Sequence, residues 1–90
     1  MQENEKSLQF KIAIGEVFKE LRISNSCTSL NKIANEYDFD KGSLSKIERG
    51  FYNVQMLTAW KLCESYGIKF SDFAKKLEEK LGTDFKFIDE

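Results

Sequence analysis

Ninety residues with 41% apolar and 32% charged side chains fit one soluble domain with a single core, and the absence of proline favours helices with short connections over a turn-rich sheet. The 14 basic and 15 acidic residues nearly cancel, which excludes the overall basic excess most nucleic-acid binders carry. With no histidine and two cysteines outside any CxxC spacing, no zinc site is expected, and no cofactor or catalytic constellation can be assembled, so the chain does not read as an enzyme.

Met1 to Ser7 is polar and aperiodic, and residues 1–7 are expected to fray. From Leu8, Phe10, Ile14, Val17, Phe18 and Leu21 follow a helical period to about Ile23, with Lys11, Glu16, Lys19, Glu20 and Arg22 opposite. This is the first predicted helix. Ser24 to Cys27 reads as a loop, after which Thr28 or Ser29 can cap a second helix with Leu30, Ile33, Ala34 and Tyr37 on its apolar face.

Asp38-Phe39-Asp40 reads as a tight turn. Asp38 tolerates a left-handed backbone, Phe39 is an apolar plug, and Asp40 fits as N-cap of a third helix through the amides of Gly42 or Ser43. That helix buries only Leu44 and Ile47, presents Lys41, Gly42, Ser43, Lys46 and Arg49, and stops at Gly50. Between Thr28 and Gly50, Lys32, Lys41, Lys46 and Arg49 balance Glu36, Asp38, Asp40 and Glu48, so only a segregated arrangement gives an attractive face.

Phe51 and Tyr52 are unusual in a connection. The reading favoured is that one packs back on the core, the other being a stacking or partner contact. A fourth helix runs from about Val54 to Tyr66 with Leu57, Trp60, Leu62, Cys63 and Tyr66 as a wide apolar face and Gly67 as its stop. Cys27 and Cys63 are expected as reduced thiols, Cys63 in the core.

Ser71 is the expected cap of a fifth helix carrying Phe73, Ala74, Leu77 and Leu81, ended by Gly82. The alternation in residues 83–90 suits a short strand or an extended arm, so Phe85, Phe87 and Ile88 need cover from this core or from a second subunit. No 18-residue apolar run and no charged-then-apolar leader is present, so a cytoplasmic location without membrane contact is expected.

Ile14-Gly15 through Leu21-Arg22, Ile33-Ala34, Ser45-Lys46-Ile47-Glu48-Arg49-Gly50, Leu57 through Leu62 to Tyr66-Gly67-Ile68, and Phe70-Ser71-Asp72-Phe73 together resemble the Cro/repressor-type helix-turn-helix family, over residues 14–74. The resemblance implies an all-α, compact five-helix lambda-repressor-like DNA-binding domain over residues 8–82, with residues 83–90 as a short C-terminal extension and dimerisation arm. It implies an ion pair of Arg22 with Glu48 and a third helix, residues 41–49, in the major groove of double-stranded DNA. Lys41, Gly42, Ser43 and Lys46 would approach bases there, while Arg49, Tyr52 and Asn53 would touch the backbone. Ser29 and Lys32 remain as phosphate donors.

The expected function is a DNA-binding transcriptional regulator acting as a homodimer through Leu77, Leu81, Phe85, Phe87 and Ile88. Leu30 stands where the family usually has glutamine, Gly42 offers no reading side chain, and Asp38 and Val54 replace a glycine and a proline. Together with the neutral motif and the aromatic loop, Leu30 and Gly42 favour the alternative, a protein-interaction module of the same fold such as an antitoxin or phage accessory protein.

Overall fold

The structure, a computed structural model, describes residues 5–26 and 29–88. Among them are five α-helices and no strand: α1 (Glu5–Leu21), α2 (Leu30–Tyr37), α3 (Lys41–Glu48), α4 (Met56–Ser65) and α5 (Phe70–Leu81). A five-residue π-helical turn, Arg22–Ser26, continues α1 into the connection. Cys27 and the alternative cap Thr28 lie outside the described residues.

Four of the chain stops are local. Asp38 takes the left-handed conformation (φ 58°, ψ 42°) at the end of α2, where the Phe39 amide closes onto the Ala34 carbonyl at 3.0 Å. At the end of α3, Gly50 (φ 82°) donates to Ile47 and Phe51 donates to Lys46, at 3.1 and 2.9 Å. Gly67 (φ 73°) and Ile68 repeat that double closure on Glu64 and Cys63 after α4. Gly82 then ends α5 with a bond to Glu78.

Val17, Phe18 and Leu21 of α1 form the centre of the core with Ile33, Leu44, Ile47, Leu62, Cys63, Tyr66 and Phe73. The Phe18 and Phe73 rings stack with centroids 4.5 Å apart, joining α1 to α5. Phe39 packs against this cluster as the plug between α2 and α3. Burial also pushes the Cys63 thiol up to about 11, which fits an inert core cysteine.

The crossing of α1 over α3 has no slack. A β-carbon on Gly15 would lie 2.4 Å from the Ile47 carbonyl oxygen and 2.7 Å from that of Glu48, both backbone atoms. One on Gly50 would lie 2.8 Å from the Ile12 side chain and 2.9 Å from its Cα. Two glycines thus bring the backbones of α1 and the end of α3 into direct contact.

Several expectations are corrected. Of residues 1–7, expected to fray, 5–7 are helical as the start of α1, and 1–4 lie outside the described residues. Helix α4 is Met56–Ser65, shorter at both ends than residues 54–66, and its inward stripe is Ala59, Leu62, Cys63 and Tyr66. Leu57 and Trp60, expected in the core, fall on the opposite side of the 3.6-residue turn and stand 64% and 52% exposed. Tyr37 likewise faces outward from α2. Helix α5 starts at Phe70, one residue before the expected cap Ser71, with Lys69 at the cap position and no side-chain cap bond.

Residues 83–88 form a turn and bends, not a strand. They fold back on α1: the Phe10 ring meets Phe85 at 6.3 Å and Phe87 at 5.6 Å, and the Lys6 ammonium donates to the Lys86 carbonyl. Of the two sources of cover expected for these aromatics, this domain supplies part through Phe10 of α1. An ion pair of Lys80 with Glu20, at 2.7 Å, adds a second tie between α5 and α1.

The two helical glycines predict results of different size. Gly15→Ala forces backbone apart and should cost about 3 kcal/mol. Gly42→Ala, whose β-carbon meets only the capping Asp40 carboxylate at a tight 3.3 Å, should change stability by less than about 1 kcal/mol, the gain in helix propensity being offset by displacement of that oxygen. Urea unfolding of both variants measures the order.

Candidate functional site

Helix α3 is held from both ends. Asp40 (φ −79°, ψ 121°) is its N-cap, its carboxylate accepting from the Ser43 amide at 2.8 Å and from the Ser43 hydroxyl at 2.9 Å. These bonds hold the Asp40 carboxyl below its ordinary value. At the other end, the Arg22 guanidinium grips the Glu48 carboxylate in a two-pronged bond, Nε to Oε2 at 2.8 Å and Nη2 to Oε1 at 3.0 Å. That hydrogen bond raises the Arg22 pKa, and the two side chains keep only 15% and 9% of their surface exposed.

This geometry resolves the neutral count of the motif. Glu48 is the only carboxylate within α3, and it faces Arg22 rather than solvent. What α3 and its C-cap show to solvent are Lys41, Gly42, Lys46 and Arg49. Among the described residues, no ion-pair partner lies within salt-bridge distance of Lys41, Lys46 or Arg49. The remaining carboxylates, Asp38 and Asp40, flank the N-terminal end of the helix.

The ammonium of Lys46 lies 5.4 Å from the centroid of the Tyr52 ring, and the Arg49 guanidinium carbon lies 5.0 Å from that of Phe51. Neither ring packs into the core, contrary to the favoured expectation for this loop: Phe51 is 63% exposed and Tyr52 37%. Asn53 is exposed beside them.

Other sequence-selected residues have mainly local work. Ser29 is the N-cap of α2, its hydroxyl accepting from the Lys32 amide at 3.2 Å. Lys32 lies 3.9 Å from Glu36 on the exposed side of α2. The Ser43 hydroxyl is engaged by the cap. Leu77 is half-buried against the core, Leu81 and Phe85 are partly covered, and Phe87 and Ile88 stay exposed. Of the five expected dimer residues, three are thus partly covered and two exposed.

Two features escaped the reading of the sequence. Phe51 lies under Arg49, a pairing that basic and aromatic residues two apart across a glycine could have suggested. Met56, Leu57 and Trp60 form an exposed apolar strip on α4, with the Trp60 indole stacked on Phe70 at 5.5 Å and donating to Glu64 at 3.2 Å. Among the described residues no helix is long and apolar enough to cross a membrane, and no group of three or more metal-ligating side chains occurs.

The fold and site therefore define an all-α five-helix domain that presents a short, cation-bearing helix on a tightly fixed scaffold. No protein-family model matches the chain, and no curated protein does.

Glu48→Ala should cost about 3 kcal/mol, because it removes the carboxylate that the half-buried Arg22 guanidinium grips in two places. Thermal unfolding beside Arg22→Ala and the double variant checks it, with the double variant less destabilised than the sum. Asp40 carries a pH signature. With its folded pKa lowered, its contribution is present above the ordinary carboxylate value of about 4 and is lost as pH falls through the lower folded value. Asp40→Asn keeps a capping oxygen and should flatten this part of the acid melting curve.

Proposed function

We propose that this protein is a DNA-binding transcriptional regulator of the Cro/repressor-type helix-turn-helix family, acting as a homodimer with α3 in the major groove. The observation that carries the reading is the sorting of charge on α3: its one carboxylate is bound inward to Arg22, and its outward side bears Lys41, Lys46 and, at the C-cap, Arg49. Those cations suit phosphate oxygens and guanine acceptors. A helix of eight residues reaches few base pairs, so two copies about 34 Å apart on a two-fold operator supply the selectivity one copy lacks.

A second reading has its own support. The strip Met56, Leu57 and Trp60 gathers three exposed apolar side chains on one side of α4, which suits a protein-interaction module, such as an antitoxin or phage accessory protein. Under that reading a stoichiometric protein partner is captured and Lys41 and Lys46 can both become alanine without loss.

Fluorescence anisotropy with labelled genomic fragments separates the two. The regulator reading predicts binding that weakens as salt rises, with a slope in log–log form of about 0.9 per phosphate contact. No binding at about 50 mM salt, where phosphate contacts are strongest, contradicts it.

A further inference from the structure

The two ends of α3 offer an anion opposite environments. At the N-terminal end the free amides are a natural anion site, but the Asp40 carboxylate already accepts from Ser43 there, and Asp38 adds a second negative charge two residues earlier in the connection. A phosphate arriving at that end meets these two carboxylates beside the single ammonium of Lys41. The C-terminal end carries Lys46 and Arg49 instead, each over an exposed ring.

The nature of those supports matters. A carboxylate partner would occupy the N–H donors of a guanidinium, whereas a ring beneath its face leaves the in-plane donors free. Arg49 makes one long contact, from Nε to the Ser45 carbonyl at 3.4 Å, so its two terminal nitrogens remain available for a phosphate fork. The ring itself is on a fixed base. Phe51 closes onto Lys46 through its amide at 2.9 Å, and Gly50 before it fits against Ile12 with no room for a β-carbon.

We infer that Phe51 is a positioning residue that holds the Arg49 guanidinium toward a DNA phosphate at the C-terminal end of α3, as Tyr52 holds Lys46. This rests on the DNA-binding reading above and adds Phe51 to the backbone contacts expected of Arg49, Tyr52 and Asn53. It also gives the aromatic loop a purpose that neither core packing nor base reading supplies.

The test is a double-mutant cycle read by anisotropy with a short labelled duplex of random sequence at about 50 mM salt. Phe51→Ala should weaken binding about fivefold in the natural background and have no effect in Arg49→Ala, because its influence passes through that guanidinium. Phe51→Tyr should keep binding and Phe51→Leu, apolar without a ring face, should not. Lys41→Ala should lose less than Arg49→Ala. Circular dichroism melting accompanies each variant, and if Phe51→Ala fails to fold, the Tyr and Leu pair carries the comparison. Losses that add in the double variant, or a Phe51→Leu protein binding as well as Phe51→Tyr, overturn this inference while the DNA reading stands. A natural protein that binds no duplex overturns both.

Discussion

The crossing of α1 over the end of α3 sets the rest of the molecule. Gly15 leaves no space for a β-carbon against the Ile47 and Glu48 carbonyls, and Gly50 leaves none against Ile12. Backbones this close fix the angle and the axial position of α3, since no side chain is present to adapt. The Arg22–Glu48 bond then locks rotation about that contact from the side. Three separate constraints thus converge on one short helix that could not form alone, because isolated helices of this length are marginal in water.

Fixing α3 also decides which of its charges matter. Composition gives the central motif no net charge, yet charge acts through position. One carboxylate is spent inward as part of the clamp, another caps the N-terminus, and the cations that remain lie toward the solvent side. The same bond that holds α3 to α1 therefore removes the acid that would otherwise oppose an anion along its outer face. Structural and electrostatic roles of Glu48 are one and the same interaction.

Much of this was legible in the residues. The cap at Asp40, the left-handed stops at Asp38 and Gly50, the plug at Phe39 and the Arg22–Glu48 pair all follow from local backbone chemistry or from the motif that carries the resemblance, and each is observed. Helix α4 was harder because it is apolar on both sides: Leu57 and Trp60 have the spacing of a core stripe, and only tertiary packing reveals that Ala59, Leu62 and Cys63 won the interior. The tail was ambiguous for a related reason, since its cover comes from Phe10, some 75 residues earlier, a distance no local pattern spans. Phe51 and Tyr52 were misplaced because aromatic side chains usually go inward, and here two nearby cations give them a partner at the surface.

We propose that α3 is a rigid, outward-facing contact element whose working end is its C-terminal turn and the loop beyond it. Amide chemical-shift mapping by two-dimensional NMR during titration with duplex DNA reports this directly. The account predicts that the largest shifts fall on residues 45–53, with α4 at Met56, Leu57 and Trp60 unmoved. Shifts confined to that α4 strip, with residues 45–53 silent, would contradict it.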